Sequence, residues 1–432
     1  MKLISYWQDT TAPPGDFRKI PVPENVDVAI VGAGLTGLSA ALELARGGAT
    51  VAVLEAHHVG WGASNRNAGM ATTGLAIGFG QAVKRYGRDR AVEYYLEYDK
   101  AISTVESLVH EHSIDCDFTR SGKLSLALTP RDVAAMRTTQ RAIASIGALP
   151  DLMVLGPDEV GKEIGSHYYH GGMVDPLGAG LHVGKFVSGL AVAAVAAGAT
   201  ICEDSPVVSL SREGARHVVQ TTRGVVSAKE VLIATSGYTS ALTPWLQRRV
   251  IPVGSFVICT EPLGDALAAD VLPHRRMASD AKMLTYYFRL TPDNRLLFGG
   301  RARFALSSPD SDQRSAQILR SAMVEIFPQL GDRRIDYTWG GLVDISMDQM
   351  VHVGEHSGVH YSLGYSGHGV QMATHSGQQI ARKLLGLRAD LPFSGIAFRP
   401  VPGHVGPPWF LPFIGAGAHV VDRWNLLRGG KS

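Results

Sequence analysis

A strand–helix–strand pattern near the N-terminus constrains the fold of this chain more than any other feature. The apolar run 28–31 predicts a strand buried on both faces, and 35–46 predicts a helix with an apolar stripe. Between them Gly32, Gly34 and Gly37 stand in the spacing G-x-G-x-x-G. This spacing permits a tight turn, a close approach of backbone to a pyrophosphate, and close packing of helix on strand.

The rest of the pattern completes a dinucleotide site. The helix N-terminus directs free N–H groups and a partial positive charge at phosphates, so we expect Leu35 and Thr36 to contact the ligand. A second strand, 50–54, ends at Glu55 and Ala56, where an acid accepts hydrogen bonds from ribose hydroxyls. Because the acid disfavours a 2′-phosphate, the pattern predicts FAD or NAD rather than NADP.

Length and composition exclude several classes of function. The chain has 432 residues, enough for two or three domain-sized units, and a net charge of only +2, which gives no electrostatic case for nucleic acid. No apolar run is long enough to span a bilayer, and the N-terminus lacks a signal-peptide pattern. The scattered Cys116, Cys202 and Cys259 favour reduced thiols and a cytoplasmic location.

Hydrophobic periodicity predicts the remaining elements. Helices are predicted at 88–113, 131–146, 186–197 and 370–385. Strands are predicted at 122–128, 200–203, 206–210, 217–221, 230–235 and 359–363. The strand 230–235 runs into a glycine turn at Gly237, which we expect near the nucleotide. Segments 250–260, 284–290 and 295–304 are rich in β-branched and aromatic residues and predict a second, largely antiparallel sheet.

These elements predict an α/β protein in which a Rossmann-like nucleotide-binding domain is interrupted by an inserted α+β substrate domain. The predicted division gives the nucleotide-binding domain 25–80, 151–245 and 334–391, the substrate domain 81–150 and 246–333, and a C-terminal arm 392–432. The arm is rich in Pro, Gly and aromatic residues. We expect it to pack on its own domain, and a role in a homo-oligomer contact is the alternative.

Several separated motifs together resemble a known family. They are DVAIVGAGLTGLSAALELA, LEAHHVGWGASNRNAG, YYFRLTPDNRLLFGGR, WGG and GYSGHGVQMATHSGQQIA, in this order. The set resembles the FAD-dependent amine oxidoreductases of the D-amino-acid oxidase superfamily, and most of all the γ-glutamylputrescine oxidase-type proteins. The resemblance implies FAD as cofactor. Since no cysteine follows Cys259, it also implies that the FAD is held without a covalent bond.

The resemblance further implies which residues hold the flavin. Residues 60–67 are similar to the segment that wraps the flavin, although Asn65 and Ala68 stand where the family usually has glycine. The turn 364–369 is similar to the turn beneath the flavin pyrimidine, with the positive end of the following helix aimed at the N1–C2=O region. The implied contacts are Gly62, Ala63, Ser64, Arg66, Asn67, Gly367, His368, Gly369 and Val370.

The reaction implied is oxidation of a C–N bond in a small primary or secondary amine. Hydride passes from the α-carbon to flavin N5, the imine hydrolyses, and O2 or another acceptor reoxidises the flavin. The position of the lysine that promotes the oxygen reaction in sarcosine oxidase falls at Leu297, which leaves oxidase and dehydrogenase both open. Candidates for the substrate pocket are Tyr286, Tyr287, Arg289, Arg301 and His368. An arginine among them would clamp a substrate carboxylate.

Other interpretations remain open. The chain is alternatively a 2-hydroxy-acid oxidoreductase, a non-catalytic flavoprotein or an NAD enzyme. His352, His356 and His360 are spaced to line one face of a helix and bind a metal, but intervening glycines and flanks typical of strands argue against that helix. We therefore expect no metal site there.

Overall fold

The structure is a computed structural model that describes residues 1–147, 152–300, 308–406 and 408–411, together with 415, 417 and 424. Within these residues the helices are α1 (Tyr6–Asp9), α2 (Leu35–Arg46), α3 (Phe79–Tyr86), α4 (Arg88–Glu111), α5 (Pro130–Ala144), α6 (Pro157–Val160), α7 (Val183–Ala196), α8 (Pro244–Gln247), α9 (Asp265–Val271), α10 (Pro309–Ile326) and α11 (Gly369–Leu384). The strands are β1 (Asn25–Val31), β2 (Val51–Leu54), β3 (Met70–Ala71), β4 (Lys123–Ala127), β5 (Met153–Leu155), β6 (Gly171–Asp175), β7 (Ala179–Gly180), β8 (Thr200–Cys202), β9 (Val207–Glu213), β10 (Arg216–Thr221), β11 (Val225–Ile233), β12 (Ile251–Thr260), β13 (Met277–Asp280), β14 (Tyr286–Leu290), β15 (Leu296–Gly300), β16 (Ile335–Ile345), β17 (His352–His356) and β18 (Val359–Leu363).

The first sheet is the one predicted from the strand–helix–strand pattern. Its strand order is β17-β18-β11-β1-β2-β8, and the five strands from β18 to β8 run parallel. β17 pairs antiparallel at one edge, and the hairpin of β9 and β10 extends from β11. The strands of this sheet come from separate stretches of the sequence. The predicted Rossmann-like α/β fold is confirmed.

Close helix packing explains why α2 is buried over most of its length rather than along one stripe. α7 and α11 both pack against it. A Cβ on Gly377 of α11 would overlap the carbonyl oxygen of Thr36, and Ser39 Oγ donates to the carbonyl of Thr374 across 2.7 Å. This contact holds the N-termini of α2 and α11 on the same side of the sheet.

The second sheet has the order β16-β12-β15-β14-β13-β4-β6-β5. All neighbouring strands in it run antiparallel except β13 and β4. Its core is aromatic, with Phe288 and Phe298 stacked at 5.6 Å and Phe327, just after α10, packed edge-on against Phe288 at 5.2 Å. The predicted largely antiparallel sheet is therefore confirmed.

Three strands join a different sheet from the one that the predicted division implies. β5, β6 and β16 pair into the second sheet, although 151–245 and 334–391 were assigned to the nucleotide-binding domain. β16 pairs with β12 along nearly its whole length, from Ile335 to Ile345. The local sequence of a buried strand does not indicate which sheet it joins, because the choice of sheet depends on pairing with residues far along the chain.

The described part of the C-terminal arm packs against the rest of the chain. Phe393 stacks on Tyr94 of α4 at 5.1 Å, and Phe398 stacks on His352 of β17 at 3.9 Å. The N–H of Val401 donates to the carbonyl of Arg248. Within the described ranges, none of the helices combines the length and the apolar character needed to cross a bilayer.

Candidate active site

A cavity of about 1110 Å³ is lined by residues of both sheets. The first sheet contributes the turn after β1, the end of β2 and residues that follow β11, and the second contributes residues of β4, β12, β14 and β16. Residues 60–68 and 365–370 complete the wall. Since sites for small molecules usually measure about 300–1,000 Å³, this volume suits a dinucleotide together with a small second ligand.

Glycines shape the floor of the cavity after β1. Gly32 has a φ of +109°, and a Cβ there would lie 2.8 Å from the carbonyl oxygen of Ala234. A Cβ on Gly37 would overlap the carbonyl oxygen of Gly32, so this glycine lets α2 begin directly against the turn. Both constraints match the predicted purposes of the G-x-G-x-x-G spacing.

The N-terminus of α2 forms an anion-binding wall. Gly34 is its N-cap, and no side chain caps the helix through it. The N–H of Leu35 donates to Ser64 Oγ across 3.0 Å, while the other N–H groups of the first turn have no partner within the helix. These groups and the helix dipole together favour a phosphate at this end of the cavity.

Glu55 stands at the end of β2, on the wall of the cavity. Its Oε2 accepts the N–H of Ala33 across 2.8 Å, and its Oε1 accepts the N–H of His57 across 2.9 Å. Burial raises the pKa of Glu55, and these two backbone N–H groups oppose the rise. A carboxylate has about four acceptor positions, so Glu55 retains capacity for ribose hydroxyls.

The segment 60–69 is fixed from its outer side. Trp7 Nε1 donates to the carbonyl of Asn67 across 2.7 Å, and Ser5 Oγ donates to the carbonyl of Asn65 across 2.6 Å. Asn67 Nδ2 donates to the carbonyls of Ala63 and Ser64 across 3.0 and 2.9 Å. The side chain of Asn67 thus folds the segment itself, and its contribution to a ligand would come from backbone.

A buried acid holds the turn before α11. Asp344 of β16 is 3% exposed, and its Oδ2 accepts the N–H of Gly364 across 2.7 Å. Burial raises the pKa of Asp344 to about 6, against the lowering effect of the backbone N–H groups of Gly364 and Tyr365. His368 is the N-cap of α11 without a side-chain cap, so the free N–H groups of this helix also open toward the cavity.

These features fit FAD. Two helix N-termini, a glycine turn without side chains and an acid with spare acceptors line one cavity, as the two halves of a flavin dinucleotide require. The predicted cofactor contacts that line it are Gly32, Gly34, Leu35, Thr36, Glu55, Ala56, Gly62, Ala63, Ser64, Arg66, Asn67, Gly367, His368, Gly369 and Val370. Gly37 and Gly237 do not line it, because the first packs behind the turn and the second packs on Leu342.

The second sheet presents one of its two adjacent tyrosines to the cavity. Tyr287 lines it, and its hydroxyl lies 2.8 Å from Ser255 Oγ. Its ring lies against Gly299, where any Cβ would overlap the ring. Tyr286 packs instead on Phe298 at 5.4 Å and does not line the cavity. Neighbouring residues of a strand point to opposite faces, so the two tyrosines cannot share one pocket.

Arg289 is not placed to clamp a substrate carboxylate. It is 5% exposed and outside the cavity, and its guanidinium donates to the carbonyls of Gly69, Leu181 and Leu290. The prediction for Arg289 is wrong in this respect, because the guanidinium is used to join separate loops.

The residue that pairs with Arg289 in β15, Leu297, is fully buried. Arg301 lies outside the described residues.

Sequence reasoning missed several residues that line the cavity. Lys123 and Lys282 bring positive charge, Asp344 brings a buried acid, and Trp61 and Tyr238 bring aromatic rings. Arg66, which was predicted, lies over the ring of Trp61 at 5.0 Å. Among the missed residues only Trp61 carried a local signal, since it stands inside the motif GWGASNRN. The others reach the cavity through pairing between distant strands.

The three spaced histidines lie on two strands and have separate partners. His352 contacts Asp348 across 2.9 Å, and His360, on the neighbouring strand, contacts Glu230 across 3.1 Å. His356 stacks on Trp245 at 4.0 Å. Across the part of the chain that the structure describes, no group of three potential metal ligands was found.

The fold and this cavity define a flavin-dependent oxidoreductase, and comparison with known proteins agrees. A family model described as FAD dependent oxidoreductase matches residues 27–383. The chain therefore belongs to this family, and it is an enzyme with FAD as its cofactor. The resemblance drawn from the sequence motifs is confirmed.

Particular relatives are similar over most of their length. The chain is 34% identical over 387 residues to a probable oxidoreductase of Haemophilus influenzae, covering 88% of each chain. It is 33% identical over 396 residues to gamma-glutamylputrescine oxidoreductase of Escherichia coli, covering 91% of each chain.

Solved structures share the fold. Glycine oxidase from Geobacillus kaustophilus has a TM-score of 0.71 at 22% identity, covering 89% of this chain and 100% of that chain. L-proline dehydrogenase from P. horikoshii has a TM-score of 0.70 at 18% identity, covering 86% of this chain and 96% of that chain.

Proposed function

We propose that this enzyme oxidises a C–N bond in a small primary or secondary amine. The observation that carries the proposal is that one cavity extends from Glu55, at the nucleotide end, to Tyr287 and Ser255 on the second sheet. The segments that fit FAD thus leave a separate wall for a small ligand. The relative in Escherichia coli named for gamma-glutamylputrescine supports an amine as that ligand.

The cofactor would be held by backbone more than by side chains. The N-terminus of α2 would bind the pyrophosphate, Glu55 the ribose, and the segment 62–67 with the N-terminus of α11 the flavin end. When bound, FAD supplies the redox chemistry by accepting a hydride equivalent from the amine α-carbon. The N-terminus of α11 would place its positive end at the flavin end of the cavity.

The protein residues would favour a neutral amine beside the cofactor. The aromatic ring of Tyr287 and the partly buried wall around it disfavour an ammonium ion, which lowers the amine pKa. His368, 5.3 Å from the ring of Tyr98, stands at the N-cap of α11 and is our candidate for a group that contacts substrate or cofactor. The imine would then hydrolyse, and O2 or another acceptor would take the electrons.

We propose that the FAD is held non-covalently. Cys116, Cys202 and Cys259 are free and buried, and none of them lines the cavity. Flavin should therefore leave the protein on acid denaturation, and flavin retained by the precipitate would overturn this part of the proposal. Free thiols also support a cytoplasmic location.

Anaerobic bleaching of the flavin tests the function. The purified yellow holoenzyme would be mixed without oxygen with N-methyl amino acids, γ-glutamyl amines, polyamines and 2-hydroxy acids in turn. Bleaching by an amine is expected, and admitting air afterwards would separate an oxidase from a dehydrogenase. Bleaching by a hydroxy acid and by no amine would overturn the proposal.

A further inference from the structure

Lys123 places an ammonium group in the cavity that the amine chemistry above does not use. It begins β4 of the second sheet, is half-buried, and lines the cavity. Its Nζ donates to the carbonyl oxygen of Thr73 across 3.1 Å. An ammonium carries three donors, and among the described residues Lys123 has no other hydrogen-bond partner.

No carboxylate of the described residues neutralises this charge directly, because none lies within 4.0 Å of Lys123 Nζ. Asp175 is the acid that acts on it through charge, and both Asp175 oxygens already accept hydrogen bonds, from Thr73 Oγ1 and from the N–H of Leu177. Burial lowers the pKa of Lys123. A partly buried cation without a carboxylate in direct contact is only partly compensated, so an anionic ligand at this point would be stabilised.

The other cations of the cavity are already engaged. Lys282 donates to Tyr168 Oη across 3.1 Å and lies 4.7 Å from the centre of the Tyr286 ring. Arg66 donates to the carbonyls of Trp61 and Gly340 across 2.9 and 3.1 Å. Both of these cations also lie over aromatic rings, whereas Lys123, among the described residues, has the carbonyl of Thr73 as its single direct partner.

The position of Lys123 relates it to the flavin end of the cavity. Its partner Thr73 follows Thr72, whose carbonyl accepts a hydrogen bond from Gln371 Nε2 in the first turn of α11 across 2.6 Å. A short chain of contacts therefore connects the ammonium with the N-terminus of α11, which would hold the flavin end of the cofactor.

We propose that Lys123 binds a carboxylate of the substrate, and that the substrate class is an amine that also carries a carboxylate. Amino acids, N-alkyl amino acids and γ-glutamyl amines belong to this class, whereas simple polyamines would meet repulsion between like charges. This assignment rests on the proposed function and gives it a substrate class.

Calorimetric titration of the holoenzyme with acetate tests the assignment. We expect Lys123→Met to weaken acetate binding roughly 10- to 100-fold, the range of a charge-assisted hydrogen bond. The control is Lys229→Met, which removes an exposed lysine that lies outside the cavity and pairs with Asp27, and it should change acetate binding by less than about 3-fold. Acetate bound equally by wild type and Lys123→Met would overturn the assignment. If Lys123→Met loses FAD, the same titration is made with Lys123→Gln, and the wild-type protein is titrated with both acetate and neutral acetamide. Equal binding of acetate and acetamide by the wild type would overturn the assignment.

Reduction of the flavin separates this inference from the function itself. With an N-methyl amino acid and its amide as a matched pair, Lys123→Met should lose kcat/KM for the acid and keep it for the amide. If amines reduce the flavin while acetate binding is unchanged in Lys123→Met, the role of Lys123 is wrong and the function stands. If acetate binding depends on Lys123 while no amine reduces the flavin, the function is wrong and the anion site stands.

Discussion

Ser64 Oγ accepts the N–H of Leu35 across 3.0 Å, and a Cβ on Gly34 would lie 2.7 Å from that same hydroxyl. One hydroxyl thus joins the glycine turn after β1 to the segment that would wrap the flavin. Because the turn and the segment interlock, the cofactor cavity is formed by contacts within the chain. Small changes at the turn should therefore lower the amount of FAD that the protein binds.

Replacing Gly34 with Ala tests this interlock. The new Cβ would crowd Ser64 Oγ, so the turn or the segment must shift, at a cost of about 1 to 3 kcal/mol in stability. We expect a lower FAD content and weaker FAD binding, measured by flavin fluorescence during titration of the apoprotein. Gly80→Ala is the matched control, because that glycine lies in α3 with open space around its Cβ position. Equal FAD affinity in both variants would contradict the interlock.

His368→Ala tests the proposed role of the α11 N-cap. Since the backbone N–H groups of the helix remain, the variant should bind FAD as the wild type does. Flavin reduction in anaerobic stopped-flow experiments should slow at least about 10-fold, because a group in contact with the reacting atoms is lost. His110→Ala, an exposed change on α4, serves as control. Unchanged reduction kinetics in His368→Ala would remove the residue from the site.

The sequence predicted most of the elements and the nucleotide end of the cavity, because both depend on local patterns. Gly32, Gly34 and Glu55 belong to a compact motif in which spacing and position fix the role of each residue. Helix 88–113 was predicted from periodicity, and α4 spans Arg88–Glu111. Boundaries differ by a few residues, as expected where helix ends depend on capping.

The substrate wall could not be predicted to the same extent. Lys123 and Tyr287 reach it through pairing across the three neighbouring strands β4, β13 and β14, which local sequence does not encode. The sequence makes Arg289 a candidate because an arginine on a substrate-domain strand could clamp a substrate carboxylate. In the structure its guanidinium is buried among carbonyl groups, and only the fold reveals that use.

Arg289→Met tests whether this arginine is structural. Loss of its donors leaves the buried carbonyls of Gly69 and Leu181 without partners, so the free energy of unfolding should fall by about 2 to 5 kcal/mol. KM for the amine substrate should change little in the fraction that folds. Arg90→Met removes only an exposed ion pair with Glu93 and should cost less than about 1 kcal/mol. A large rise in KM with unchanged stability would restore Arg289 as a substrate clamp.

Asp99 of α4 should make stability depend on pH. Both its carboxylate oxygens are buried without a hydrogen-bond partner, and burial, with a contribution from Asp175, raises its pKa to about 7. The folded protein therefore holds a proton between about pH 4 and 7 that the unfolded chain has lost, so stability falls as pH rises through this range.

Urea unfolding at pH 5 and pH 8 measures this effect. In Asp99→Asn the free energy of unfolding should fall much less between pH 5 and pH 8. At pH 8 it should exceed the wild-type value by about 1 to 3 kcal/mol. Asp89→Asn, an exposed change on the same helix, should leave the pH dependence as it is. A wild-type stability that rises from pH 5 to pH 8, with no change in Asp99→Asn, would contradict the raised pKa.

The most direct test of the account is an anaerobic titration of the holoenzyme with one amine found in the bleaching panel, followed by product analysis. The account predicts one carbonyl compound and one released amine or ammonia for each flavin reduced. Flavin that stays oxidised with every amine, or is reduced without release of a nitrogen product, would contradict C–N oxidation as the function of this cavity.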